Sequence, residues 1–95
     1  MPIDFSYVNS IGLNHIREWL PGGNINGAEY IVLNPTRDDR HAGSLLINLS
    51  NGKFIDNADD DFVGRDSVTL YAKLNGMRNI DAARDILAKY DPAYF

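Results

Sequence analysis

Residues 44–56, SLLINLSNGKFID, decide how the rest of the chain is interpreted. Two largely apolar runs, residues 44–49 and residues 53–56, stand on either side of the tripeptide Ser50-Asn51-Gly52. An Asn-Gly pair favours the positive φ that a tight turn between paired strands requires. The stretch therefore predicts an antiparallel β-hairpin.

The residues on either side of this hairpin predict one further strand and three loops. Residues 29–33 (EYIVL) are β-branched and aromatic, which favours a strand. Residues 34–43 (NPTRDDRHAG) are polar and charged and predict a loop. Residues 21–27 (PGGNING) are rich in turn formers and predict a mobile loop, and residues 57–64 (NADDDFVG) predict an acidic loop.

Three helices are expected at the ends of the chain. Residues 10–20 (SIGLNHIREWL) carry apolar residues at approximately helical spacing, with Ser10 as the cap. A second helix should be capped by Asp66 or its neighbour and should end at Gly76. A third should begin near residue 79 or 81 and run to about residue 90, before an Asp-Pro stop.

Strands in one run, with helices before and after it, predict an α+β fold rather than an α/β fold. We expect a small antiparallel sheet of about three strands, packed with one N-terminal and two C-terminal helices. Ninety-five residues make a single domain by length.

The composition excludes several classes of site. The chain has no cysteine, which removes disulfides, thiolate catalysis and thiolate zinc sites. His15 and His41 lie far apart and show no paired-ligand spacing. We therefore expect no metal and no cofactor. No catalytic constellation is visible either, such as a Ser/His/Asp set or a glycine-rich phosphate loop, so we expect no enzymatic activity.

Charge and hydropathy restrict the partners and the location. Thirteen acids against nine bases give a formal net charge of −4, whereas a non-specific DNA binder is usually basic. No apolar run approaches the roughly 20 residues that span a bilayer. The first residues also lack the basic and apolar regions of a signal peptide. We expect a cytoplasmic protein with no membrane contact.

An ordered set of short motifs extends from residue 33 to residue 84. In chain order the motifs read LNPTRD, GSL, INL, GKF, GRD, LYA, LNG and DAAR. This order resembles the zinc-ribbon domain of phage, plasmid and bacterial DNA primases. The likeness covers residues 27–90, which leaves residues 1–26 as an N-terminal helix and loop and residues 91–95 as a tail.

The resemblance implies a zinc-ribbon-like fold without its metal. Zinc-bearing members of the family carry one ligand pair near residues 34–37 and a cysteine pair in the segment matching residues 56–61, and this chain has neither. Members of the phage and plasmid branch often lack these ligands too. In primases the ribbon domain is not the polymerising site, so the resemblance implies a non-catalytic module.

The most function-like residues are polar and cationic. Candidate contacts to a nucleic-acid backbone are Asn34, Thr36, Arg37, Arg40, Lys53 and Arg65. Tyr30, Phe54 and Tyr71 are candidate stacking faces for bases. The alternative is that residues 34–36 form a turn and that the arginines of this loop pair with neighbouring aspartates on a solvated surface.

A second candidate site is acidic. Asp56, Asp59, Asp60 and Asp61 form a carboxylate cluster that would imitate phosphates toward a basic protein groove. Their spacing lacks the glycine and the final glutamate of an EF-hand loop, which disfavours a calcium site. The alternative is a solvated loop that leads into a helix, where acids favour the positive end of the helix dipole.

Two functional hypotheses follow. The first is a primase-ribbon-like accessory module of a mobile element, which binds single-stranded DNA, a replication protein (a polymerase, primase or helicase), or both. The second is a small phage-encoded inhibitor that presents carboxylates to a defence-system protein with a basic surface. The resemblance motivates the first hypothesis, and the small size, the net charge of −4 and the aspartate run motivate the second.

Overall fold

The computed structural model describes residues 2–36 and 44–95. Within these residues the chain forms five strands and four α-helices, followed by a short 3₁₀ turn. The helices are α1 (Phe5–Leu13), α2 (Ile16–Trp19), α3 (Ser67–Asn75) and α4 (Asn79–Tyr90), and the 3₁₀ turn is Pro92–Tyr94. The strands are β1 (Asn24–Asn26), β2 (Glu29–Val32), β3 (Leu45–Asn48), β4 (Phe54–Asp56) and β5 (Asp59–Gly64).

The five strands form one antiparallel sheet in which every strand pairs with its neighbour in sequence, in the order β1-β2-β3-β4-β5. The α+β class is therefore confirmed. The expected strand number was too low, because the described residues contain five strands rather than about three.

Both additional strands lie in segments that were predicted as loops. β1 falls within residues 21–27, where Gly27 at φ +63° allows the chain to reverse into β2. All three β1 residues are exposed, so the sequence shows no alternation there. β5 falls within residues 57–64, and of its six residues only Phe62 is buried. A strand with one inward side chain carries almost no periodic signal.

The N-terminal helix differs from its prediction. It begins at Phe5 rather than near Ser10, because Asp4 is the cap and its carboxylate accepts a hydrogen bond from the Tyr7 N–H at 3.2 Å. Ser10 instead lies inside α1 and donates its hydroxyl proton to the Tyr7 carbonyl. The helix ends at Leu13, and α2 is a separate helix of a single turn.

The two C-terminal helices are confirmed. The Asp66 carboxylate caps α3 by accepting a hydrogen bond from the Thr69 N–H at 2.8 Å. Gly76 ends α3 in the left-handed conformation, at φ +63° and ψ +41°. These are local signals, so the sequence was sufficient to locate them.

Two apolar clusters hold the sheet and the helices together. The first lies between the inner face of the sheet and helices α2 and α3, and the second lies among α1, α3 and α4. Trp19 packs against both clusters, donates from its indole N–H to the Tyr90 hydroxyl at 3.0 Å, and meets the Tyr71 ring edge-on.

The β3–β4 hairpin is confirmed, but its connection is longer than a two-residue Asn-Gly turn. Asn48 donates its N–H to the Lys53 carbonyl at 2.8 Å, which leaves four residues in the loop. Gly52 alone in this loop has a positive φ, at +85°. A Cβ at Gly52 would lie 2.6 Å from the backbone nitrogen of Ser67, so the loop packs directly on the start of α3.

Gly52→Ala should destabilise the protein more than Gly27→Ala. Both glycines have a positive φ, which costs an alanine about 1 to 2 kcal/mol. Space is open around Gly27, whereas the contact at Gly52 adds overpacking of about 1 to 3 kcal/mol. Urea unfolding of the two variants measures the difference. Equal losses would show that the hairpin loop does not press on α3.

Two buried polar side chains join the end of β2 to the end of β4. Asn34 and Asp56 are 1% and 0% exposed, and the Asn34 amide donates to Asp56 Oδ2 at 2.8 Å. Asn34 Oδ1 accepts from the N–H and the hydroxyl of Thr36, and Asp56 Oδ1 accepts from the Ala58 N–H at 2.9 Å. Every side-chain oxygen of Asn34 and Asp56 thus accepts a hydrogen bond, and the Asn34 amide group donates one.

Asp56→Asn should lower the free energy of unfolding by about 1 to 3 kcal/mol. Both Asp56 oxygens accept hydrogen bonds, so an amide would turn an NH₂ group toward one of its present donors. Asp60→Asn is the matched control, because Asp60 is exposed, and it should change stability by less than about 0.5 kcal/mol. Chemical denaturation compares them. Two equally small effects would mean that the buried pair contributes nothing.

Candidate binding face of the sheet

The sheet has a buried inner face and an accessible outer face. Along β2 and β3, inward residues such as Tyr30, Val32 and Ile47 are buried, and the residues between them are half-buried or exposed. This alternation follows from the two-residue period of a strand. We call the accessible side the outer face.

A row of four aliphatic side chains crosses the outer face. The strand register places Ile31 opposite Leu46, Leu46 opposite Ile55, and Ile55 opposite Val63. Ile55 and Val63 are 46% and 47% exposed, and the other two are half-buried. With neighbouring strands about 4.8 Å apart, the row is roughly 14 Å long. We call it the aliphatic row.

Two of the predicted cationic residues lie next to the paired ends of β4 and β5. Phe54 pairs with Gly64; Lys53 directly precedes β4, and Arg65 directly follows β5. Both are exposed, and within the described part of the chain neither side chain forms a hydrogen bond or an ion pair. A shallow groove of about 350 Å³ extends from Lys53 along part of the aliphatic row. Its lining includes Glu29, Leu46, Asn48, Lys53, Ile55 and Val63.

The predicted acidic cluster is divided by the structure. Asp59, Asp60 and Asp61 lie on β5, an edge strand, rather than in a loop, and Asp60 and Asp61 are exposed. Asp56 is buried against Asn34, so its expected place in an exposed acidic loop was wrong. Charged side chains on an edge strand discourage pairing with another chain, which gives the β5 acids a structural role.

The three aromatic residues proposed as stacking faces lie in the core. Tyr30, Phe54 and Tyr71 are 3%, 3% and 4% exposed, so none presents a ring to a base. Phe54 packs edge-on against Phe62, with ring centroids 5.5 Å apart. Burial, followed by the hydrogen bond to Asp85, raises the pKa of the Tyr71 hydroxyl. The expectation of base stacking by these residues was therefore wrong.

The polar stretch after β2 is only partly described. Residues 34–36 form a turn stabilised by the Asn34 side chain, which was the predicted alternative to contact with a nucleic-acid backbone. Thr36 is exposed. Asn34 is buried, which removes it from direct contact with a ligand. Arg37 and Arg40 lie outside the described residues.

Sequence reasoning assigned the residues of the aliphatic row to strands or loops but not to a surface. The runs EYIVL and SLLINL are apolar at both inward and outward positions, which is typical of strands buried on both faces. The accessible positions emerge only from the register with neighbouring strands. The exposed Val63, in a segment predicted as a loop, carried no signal at all.

Neither a metal site nor a membrane span is evident in the described residues. Across residues 2–36 and 44–95, no three histidine, cysteine or acidic side chains come together in a way that would hold a metal ion. Nor does any helix in these ranges have the length and apolar character needed to cross a bilayer.

Comparison of the chain with models of protein families, with curated proteins and with solved structures found no match. The resemblance to the primase zinc-ribbon family therefore stays a prediction, carried by the motifs between residues 33 and 84.

Proposed function

We propose that the chain is a non-catalytic accessory module that acts in the cytoplasm and binds a replication protein through the outer face of its sheet. The observation that carries the proposal is the solvent-accessible aliphatic row from Ile31 to Val63. Apolar surface that a folded monomer leaves grouped in one place marks an interaction site more often than scattered apolar residues do.

Several observations favour a protein partner over single-stranded DNA. Binding to single strands relies on aromatic rings for the bases and on a basic groove for the phosphates. The row is aliphatic, the nearby aromatics Tyr30 and Phe54 point into the core, and the net charge is −4. An aliphatic centre with a charged rim is instead the ordinary composition of a protein interface.

The charges of the rim define the partner further. Lys53 lines the groove beside the row, and Arg65 follows the end of β5. These cations complement an acidic rim around an apolar patch. Such charges mainly raise the association rate and fix the orientation of the complex. We expect the partner to present carboxylates toward this end of the outer face.

The resemblance supplies the class of partner. Zinc-bearing primase ribbons carry ligand pairs in the segments that match residues 34–37 and 56–61, and in this chain Asn34 and Asp56, one from each segment, contact each other. A buried hydrogen-bonded contact in that place supports a ribbon that folds without zinc. A polymerase, primase or helicase of the mobile element or of its host is the corresponding partner.

Ile55→Asp should weaken binding to this partner at least about tenfold, because it places an unpaired charge at the centre of a desolvated contact. Ile25→Asp is the matched control. Ile25 is 52% exposed, but it pairs with the inward Tyr30 and therefore does not belong to the outer face. Titration calorimetry with purified polymerase, primase and helicase measures both variants. Folding of each is checked by circular dichroism.

Two results would contradict the proposal. One is that Ile55→Asp binds every tested replication protein as tightly as the wild type. The other is that none of these proteins binds, while a labelled single-stranded oligonucleotide binds and loses affinity in Lys53→Ala and Arg65→Ala variants. The second result would favour the DNA-binding hypothesis.

A second candidate function is the inhibitor that imitates nucleic acid, favoured by the exposure of Asp60 and Asp61 on an edge strand. Replacing Asp59, Asp60 and Asp61 by Asn should then slow association with a basic, nucleic-acid-binding defence protein, because complementary charge chiefly affects the on-rate. Stopped-flow association at low and high salt tests this. Unchanged association rates at low salt would exclude the inhibitor hypothesis. In the same triple variant, binding to replication proteins should not weaken.

A further inference from the structure

A second surface lies on the opposite, helical part of the molecule. A groove of about 420 Å³ runs between α4, residues 2–3 and residues 94–95, a volume within the usual range for ligand sites. Its lining is apolar or aromatic except for one guanidinium, and consists of Pro2, Ile3, Ile80, Arg84, Tyr94 and Phe95. None of these residues belongs to the outer face of the sheet.

Specific contacts hold the walls of this groove in place. The Asp4 N–H donates to the Tyr94 hydroxyl at 3.1 Å, which ties the N-terminal segment to the 3₁₀ turn. The Tyr7 and Tyr94 rings stack with centroids 5.7 Å apart, and the Tyr94 ring also meets Phe95 edge-on. The groove is therefore a built feature rather than a gap between loose ends.

The acidic groups near the groove already have partners. The Tyr7 hydroxyl donates to Asp91 at 2.5 Å, and this bond raises the pKa of Tyr7. Arg78 donates to Asp81 at 2.9 Å, which lowers the pKa of Asp81. Arg84 also helps to lower the pKa of Asp81 through its charge, but within the described residues its guanidinium forms no hydrogen bond and no ion pair.

An exposed aromatic residue lines the same groove as this guanidinium. Phe95 is 71% exposed, the highest value among the large apolar residues described. An apolar wall gains free energy when it is covered. An arginine whose guanidinium forms no hydrogen bond gains most from a planar carboxylate that accepts two parallel hydrogen bonds. One ligand satisfies both demands when an apolar group and a carboxylate lie next to each other.

We propose that this groove binds a short peptide segment of a protein partner, in which an apolar side chain is followed by an acidic residue. The apolar side chain packs between Ile80 and Phe95, and the carboxylate pairs with Arg84. Because Phe95 and Arg84 are exposed, the groove is open along one side, which suits one anchoring side chain with its backbone in water. A long alkyl chain would stay largely hydrated there.

Fluorescence anisotropy with two labelled peptides tests the proposal. The first is Gly-Ser-Gly-Phe-Glu-Gly amide, and the second carries Gln in place of Glu. The protein carries no terminal tags, because Pro2 and Phe95 line the groove. We expect saturable binding of the Glu peptide, and binding at least about tenfold weaker for the Gln peptide, since a charged hydrogen-bonded pair is lost.

Three variants assign the contacts. Arg84→Gln should reduce affinity for the Glu peptide to that of the Gln peptide, and Phe95→Ser should weaken both. Arg78→Gln is the matched control, because Arg78 is another exposed arginine near the start of α4 but does not line the groove. It should leave both affinities unchanged. Circular dichroism of each variant confirms that the fold persists.

The proposal is overturned if neither peptide binds saturably, or if Arg84→Gln and Arg78→Gln weaken binding equally. It is also overturned if decanoate or inorganic phosphate binds at Arg84 while the Glu peptide does not. None of these results depends on the outer face of the sheet, so the experiments on replication proteins test that proposal independently.

Discussion

The buried contact between Asn34 and Asp56 is the interaction on which the sheet depends. A buried carboxylate and a buried amide are costly unless each finds its partners, and here they supply one another. The same Asp56 side chain also binds the Ala58 N–H, where the chain turns from β4 into β5. One polar contact thus sets where β2 ends and where β4 reverses.

Strand register follows from this constraint and decides the surface chemistry. β3 pairs with both β2 and β4, so joining the ends of those two strands fixes the alignment of all three. A slip of one residue in any strand would exchange its inward and outward side chains. The aliphatic row exists only in the observed register.

The two candidate surfaces belong to different halves of one packed unit. The outer face is formed by strands, and the terminal groove is formed by α4 and the chain ends. Trp19 packs against the clusters beneath both halves and joins them into a continuous core. The accessory role and the peptide site that we propose use separate surfaces of this one core.

The sequence by itself determined the features that depend on neighbouring residues: the α+β class, the β3–β4 hairpin, the Asp66 cap and the Gly76 stop. It also identified Lys53 and Arg65, each separately, as candidate contacts to a nucleic-acid backbone. Only the tertiary structure paired β1 and β5 into the sheet and buried Asp56. The physical reason is that a cap or a turn is stabilised within a few residues. Whether an apolar, aromatic or acidic side chain of a strand faces water, in contrast, depends on partners far away in the chain.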